Sequence, residues 1–268
     1  GINSNAEDMA KWMLVQLAEG RLADGSALIK PATARQLTTL TTPIPAGQGA
    51  PELSAIRPNF NGYGLGLFLR DYRGHKLVTH TGGLPGYVSK VAMIPDAQVG
   101  VVILTNQESG SAFESIANLV LDAYLGAPAA TDWVAAYQAI EKRRASATAQ
   151  STNASAAARD SASKPSLALE KYAGKYRDAW YGEMTIATAP GGGLTITFDR
   201  TPRLNGTLEH WQHDTFVARW KDRELRADAF VAFSLNPDGT IDTVRMRAVS
   251  PETDFSYDFQ DLRFARLK

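Results

Sequence analysis

The sequence predicts an α+β protein: an antiparallel sheet flanked by helices, followed by a small all-β domain. Three observations carry this. Apolar residues at helical spacing open the chain and recur after residue 110, with short strand-like runs between them. A tract rich in Ala and Ser, residues 144–165, then holds almost nothing to bury. Beyond it, residues 166–268 alternate apolar and polar side chains in about eight short runs, the pattern of a small antiparallel barrel or sandwich. The expected organisation is a first domain over 1–143, a mobile linker over 144–165 and a β domain over 166–268. With 268 residues, 44% of them hydrophobic, the chain can bury a sizeable core.

The opening helix is expected over residues 5–19. Ser4-Asn5-Ala6-Glu7 fits a capping box, in which the Ser4 hydroxyl and the Glu7 carboxylate satisfy orphan amides. Met9, Trp12, Met13 and Leu17 form its apolar stripe, and Gly20 stops it. The chain meets this helix at once after Gly1, which reads as a fragment or a piece of a processed protein. Residues 31–40 give a second helix, with Pro31 where a missing N–H costs nothing. Thr41 to Phe60 is rich in Pro, Gly and Ala and reads as an irregular loop.

Four strand-like runs follow as an antiparallel meander: Gly62–Tyr72, His75–Gly82, Gly86–Pro95 and Gly100–Asn106. The last is apolar on both faces and is expected at the centre of the sheet. Ser111 to Glu114 reads as another capping box, opening a helix with Phe113, Ile116, Val120 and Tyr124 on one stripe. Asp132 caps a further helix that buries Trp133, Tyr137 and Ile140 and runs out in cations, where the helix dipole favours them.

Composition excludes several functions. Zero net charge gives no global field to recruit nucleic acid or an acidic membrane surface. The absence of cysteine removes disulfides, thiolate catalysis and Cys-ligated zinc. No apolar run reaches the roughly 18 residues of a membrane span. Gly62-x-Gly64-x-Gly66 lacks the last glycine of a dinucleotide fingerprint, Leu67 standing near its place, and no βαβ unit surrounds it. No cofactor and no metal are expected. His210 and His213 would share a face on a helix, but among strands their spacing turns the rings apart.

One short run stands out: His80-Thr81-Gly82-Gly83, at the end of one strand and the start of a hairpin. Small residues let a backbone approach a ligand closely. Free N–H groups there can form an oxyanion hole, and a neighbouring imidazole can donate a hydrogen bond or carry charge.

From the helix entry at residues 1–17 through this run to Asn106, the sequence resembles the later part of the serine β-lactamase-like hydrolases. These are the class C β-lactamase, penicillin-binding protein, D-aminopeptidase and esterase relatives. The resemblance covers residues 1 to about 126 and implies a partial β-lactamase/transpeptidase-like fold. Residues 168–268, from "LEKYAGKY", look like the small barrel often appended to that family, which implies a lipocalin-like domain. The family works by acylating a serine, through Ser-x-x-Lys, Tyr-x-Asn and Lys-Thr-Gly motifs. The resemblance makes His80-Thr81-Gly82 the third motif, with His in place of Lys. It implies that Gly83 donates its N–H to the oxyanion and that Thr81, beside Gly82, contacts the substrate. His80 would hold a charge or hydrogen bond next to it. An imidazole is only fractionally charged at neutral pH, which favours peptidase or esterase chemistry over a dedicated β-lactamase.

The first two motifs do not map. The one Ser-x-x-Lys is Ser161 to Lys164, inside the Ala/Ser tract, and no Tyr-x-Asn occurs. Ser151-Thr152-Asn153 and Ser234-Leu235-Asn236 match Ser-x-Asn by letter alone. In the family both motifs precede the segment present here. The expectation is a chain that is inactive alone, because it lacks the nucleophile. Its partners would be a small-molecule or peptide substrate and either the missing N-terminal half of the catalytic domain or a swapped symmetry mate. The family is mostly exported, which implies a periplasmic or secreted setting. The competing readings are a binding module that cups an apolar or peptide ligand in the β domain, and an interaction protein that docks through it.

Overall fold

The computed structural model describes residues 2–128 and 131–267, which fall into two compact units, Gly1–Arg144 and Ala145–Lys268. Gly1, where the sequence reading begins the helix entry, lies outside the described residues. In the first unit, α1 (Ala6–Leu17) is capped by Asn5, not by Ser4: the Asn5 side chain accepts from the Asp8 amide at 2.9 Å. The box is shifted by one residue because Asn caps as well as Ser does. Gly20 takes φ +90° just beyond, and a Cβ there would stand 2.3 Å from the Ile29 carbonyl oxygen, so only glycine can make the stop. Helix α2 (Pro31–Leu37) is shorter than its pattern, and the expected loop contains β1 (Thr42–Pro43) and a 3₁₀ turn at Pro51–Ile56.

The meander is antiparallel and in chain order, but the expected Gly62–Tyr72 run folds back as two strands: β2 (Asn61–Tyr63), β3 (Phe68–Tyr72), β4 (His75–Leu84), β5 (Tyr87–Ile94) and β6 (Val99–Thr105) lie side by side. Arg73-Gly74 joins β3 to β4 with positive φ at both residues, the two-residue turn whose twist suits a hairpin. Strand β6 is at the end of this sheet and not at its centre. It reads as apolar on both faces because a helix covers each: α1 on one, and α3 (Gly110–Tyr124) on the other. Burial on two faces says nothing about lateral position.

Met13 and Leu17 of α1 pack on Leu69, Val78 and Met93. Against the other face, Leu121 of α3 and Trp133, Tyr137 and Ile140 of α4 (Trp133–Ala157) pack on Tyr72, Leu77, Ala92 and Ile94. Helix α3 is capped by Ser109, whose hydroxyl accepts from Ala112, so Ser111 and Glu114 do not form the expected box. Its buried stripe is Phe113, Ala117 and Leu121; Ile116 and Tyr124 face outward. The small Ala117 is what lets the helix lie close to the sheet. Residues 144–157, expected as a mobile linker, continue α4. Alanine needs no apolar stripe to favour a helix.

In the second unit eight strands close into an antiparallel barrel: β7 (Gly174–Asp178), β8 (Gly182–Thr188), β9 (Leu194–Phe198), β10 (Asn205–Gln212), β11 (Thr215–Trp220), β12 (Ala229–Leu235), β13 (Ile241–Ala248) and β14 (Arg263–Arg266). Strand β14 pairs back on β7 and closes it, which removes every sheet edge. The interior is filled by side chains, among them Tyr176, Ile196, Phe216, Val231, Phe233 and Phe264, each 7% exposed or less. The expected cup for an apolar ligand is therefore a packed core.

A carboxylate ties the first unit together. Asp122 of α3 accepts from Arg73 Nε and Nη2 (2.6 and 2.7 Å), from the Tyr72 hydroxyl (2.6 Å) and from Trp133 Nε1 (2.9 Å). Burial alone would raise its pKa, but these donors, Arg73 first, together hold the carboxyl below the usual range. Burial, and then Asp122 itself, pushes the Tyr72 phenol far above its ordinary value. A carboxyl depressed in the folded state contributes stability that is present above its unfolded value and lost as pH falls through the folded one. Asp122→Asn should therefore cost about 2–3 kcal/mol near pH 7, somewhat less than for a fully buried pair. In equilibrium unfolding the gap between variant and wild type should narrow below about pH 4; a gap that stays constant down to acid pH would contradict the assignment.

Candidate active site

Strand β4 has two halves. From His75 to Thr79 it pairs with β3, from Tyr72↔His75 to Phe68↔Thr79, and from Val78↔Met93 onward it also pairs with β5. From His80 to Leu84 it pairs only with β5, from His80↔Val91 to Leu84↔Tyr87. The turn at 64–67, closed by Gly64 N–H donating to the Leu67 carbonyl at 2.8 Å, starts β3 too late to reach further. Gly64 allows this turn: a Cβ would stand 2.5 Å from the Leu37 carbonyl oxygen. This is the role of the Gly62-x-Gly64-x-Gly66 run. Strand β4 is thus an interior strand, fourth of six, that becomes an edge at His80.

His80 is half-buried and held on both nitrogens. Nδ1 lies 2.7 Å from the Thr81 carbonyl oxygen and Nε2 lies 3.1 Å from the Tyr63 hydroxyl. A carbonyl oxygen only accepts, so this partner places a proton on Nδ1, while the Tyr63 hydroxyl can either donate to Nε2 or accept from it. Phe68 stacks on the imidazole at 5.7 Å, and Tyr63 meets Phe68 edge-on at 4.7 Å. Thr81, Gly82 and Gly83 are exposed. Gly82 lies opposite Ser89, and a Cβ on it would stand 2.6 Å from the Ser89 hydroxyl oxygen. Gly83 is open on its Cβ side, with nothing within 4 Å.

Beside this strand is a cavity of about 710 Å³, lined among others by His80, Thr81, Lys90, Glu114, Asn118 and Tyr137. Lys90 is directly opposite Thr81 on β5 and is 6% exposed. Its ammonium reaches Glu114 at 2.6 Å and lies 5.5 Å from the centre of the Phe113 ring. Asn118 donates to the Tyr137 hydroxyl at 3.0 Å. Burial first, and then the charge of Glu114, pushes the Tyr137 phenol up to about 12.

Periodicity did not find Tyr63, Lys90 or Glu114. Tyr63 looks like any strand aromatic, and its contact spans 17 residues. A single lysine in an alternating run looks solvent-facing. The other motif matches do not converge on the site. Ser161 and Lys164 lie in a turn and extended chain of the second unit, not on a helix face. Ser163 there donates to the Asp160 carbonyl and accepts from the His213 amide. Ser151 to Asn153 lie in α4, and Ser234 to Asn236 at the end of β12. His210 Nε2 meets the His213 carbonyl oxygen at 2.9 Å. Among the described residues no three His, Asp or Glu side chains cluster as a metal site, and no helix is long and apolar enough to cross a membrane.

The Lys90–Glu114 pair gives a test of this wall. Glu114→Ala leaves a buried ammonium without its partner and should cost about 2–4 kcal/mol in equilibrium unfolding. Adding Lys90→Met should restore more than half of that, because the charge goes with its partner. A double variant as unstable as the sum of the single changes would show that the two side chains do not act as a pair.

Residues 1–125 match the Beta-lactamase family model, and residues 158–266 match a domain of unknown function, DUF3471. Unguisins hydrolase ungD of Aspergillus violaceofuscus (strain CBS 115571) is 28% identical over 187 residues, 66% of this chain and 33% of that protein. Unguisins hydrolase ungD' of Aspergillus campestris (strain IBT 28561) is 26% identical over 244 residues, 88% of this chain and 43% of that protein. The chain thus spans less than half the length of these curated relatives. Among solved structures, the octameric penicillin-binding protein homologue from Pyrococcus abyssi is 17% identical, with a TM-score of 0.39 over 98% of this chain and 47% of that one. SurE is 18% identical, with a TM-score of 0.31 over 98% of this chain and 48% of that one. The family match over residues 1–125, the hydrolase relatives and the antiparallel sheet flanked by helices all support a β-lactamase-like first unit.

Proposed function

We propose that the first unit supplies one wall of an acyl-transfer active site, and that the parent reaction is hydrolysis of an amide, ester or lactam through an acyl-serine. One observation carries this reading: His80-Thr81-Gly82-Gly83 begins at the residue where β4 loses its strand partner. A strand edge of this kind can hydrogen-bond an extended substrate. The Beta-lactamase family match and the hydrolase names of the relatives support it.

In this mechanism a serine attacks the substrate carbonyl carbon and the leaving group departs with a proton. Water then cleaves the acyl-serine. The Gly83 N–H stabilises the oxyanion, and Thr81 contacts the substrate's carbonyl or carboxylate. Gly82 keeps the strand surface bare. Both His80 ring nitrogens are engaged, Nδ1 on the Thr81 carbonyl and Nε2 on the Tyr63 hydroxyl, so the ring offers no spare donor to a substrate carboxylate. Its role is to position the Thr81 peptide. That favours peptidase or esterase chemistry, D-aminopeptidase-like included, over a dedicated β-lactamase.

The serine comes from outside the residues of this chain, since Ser161 and Lys164 share no helix face. Its bearer is the first half of the catalytic domain. Two features suit such a partner: the β6 edge, unpaired among the described residues, and the outward Ile116, Leu119 and Tyr124 of α3, which are 42%, 50% and 75% exposed. The purified 268-residue chain should show no saturable turnover of a chromogenic ester or β-lactam, and no added mass with a serine-directed fluorophosphonate. Saturable turnover, or labelling mapped to a serine of this chain, would overturn the proposal. Combined with a polypeptide that supplies a Ser-x-x-Lys helix, His80→Lys should lower KM for a carboxylate-bearing lactam by about threefold to tenfold and change ester turnover less. An equal effect on both substrates would remove the assigned role of His80.

A further inference from the structure

A second site lies on the barrel. Because side chains fill the interior, a ligand can reach this unit only from outside. One groove is formed there, about 350 Å³ in volume and lined by Ser155, Ala158, Trp211, Phe230, Arg245 and Arg247, among others. Its floor is aromatic: Trp211 and Phe230 meet edge-on at 5.3 Å. Two cations flank them. Arg159 lies 4.7 Å from the centre of the Trp211 ring and donates to the Trp211 and His210 carbonyls at 2.7 and 3.1 Å. Arg247 stands opposite Phe230 in the ladder, 5.4 Å from its ring centre.

The groove joins an aromatic floor to arginines that no carboxylate of the described residues neutralises. Elsewhere in this unit Arg177, Arg203, Arg219 and Arg223 each have a carboxylate partner. Arg245 and Arg247, both exposed, have no carboxylate partner among the described residues. Arg245 is also directly opposite the exposed Arg263 on β14, which likewise has none. Like charges facing each other across a ladder are unfavourable, and an anion between them relieves the repulsion. A guanidinium presents a planar fork that fits a carboxylate, and an aromatic floor takes an apolar body. The volume is at the small end of ligand pockets.

We propose that this groove binds a small organic carboxylate, with its carboxylate on Arg245 and Arg247 and its apolar or aromatic body on Trp211 and Phe230. The site is independent of the acyl-transfer wall. The 268-residue chain is titrated with N-acetylphenylalanine, with its primary amide and with sodium sulfate, and the assigned indole N–H signal of Trp211 is followed by NMR. The acid should saturate the signal, with the amide and sulfate at least about tenfold weaker. Arg245→Gln and Arg247→Gln should each weaken the acid by about threefold to tenfold, and Trp211→Leu by a similar factor, without change in circular dichroism. Equal binding of acid and amide would show that the arginines do not recognise the carboxylate. Equal binding of sulfate would reduce the site to an unspecific cationic patch. Either result, failure to saturate, or a double arginine variant that binds like wild type, overturns the proposal.

Discussion

The β3–β4 ladder ends at Phe68 and Thr79, and the candidate site follows from where it ends. A strand hydrogen-bonded on both sides has no backbone groups left to offer a substrate. One that loses a neighbour partway keeps the rigidity of the sheet along its paired half and gains an open edge along the other. The 64–67 turn sets that point, and Gly64 makes the turn possible by its closeness to the Leu37 carbonyl. His80 is the first residue past it. Its ring is stacked on Phe68 and bonded to Tyr63.

Precision at that edge depends on what lies behind the sheet. Asp122 gathers donors from β3, the following turn and α4, and so fixes α3 and α4 to the sheet through one carboxylate. Lys90 and Glu114 do the same nearer the site, linking β5 to α3 directly behind Thr81. Both are charged contacts in poorly solvated places, where position matters more than net stabilisation. They hold the wall of the cavity in one arrangement.

The barrel solves a different problem. Closure removes its edges, and dense packing removes its cavity, so its only means of recognition are on the outside. Four of its arginines, Arg177, Arg203, Arg219 and Arg223, sit in ion pairs. Around Trp211 and Phe230 the arginines instead flank an aromatic floor, and that gives the domain a chemistry of its own.

The sequence by itself determined much of this. The alternating runs set the strands and their antiparallel order, and the two-residue turn at Arg73-Gly74 set a hairpin. Trp133, Tyr137 and Ile140 marked the buried face of α4, and the His80–Gly83 run marked the candidate site. These are local signals, carried by side-chain period and turn chemistry. The tertiary structure alone decided the rest. Whether an apolar strand lies at the centre or the end of a sheet depends on neighbours that its own residues do not encode, and so β6 was misplaced. Residues 144–157 lack an apolar stripe but fold as helix, because alanine propensity is enough once a packed turn has started one. Tyr63 and His80, or Lys90 and Glu114, meet only because distant segments are brought together, and no spacing along the chain records that. The filling of the barrel likewise depends on how eight inner faces interdigitate, a matter of volume and not of pattern.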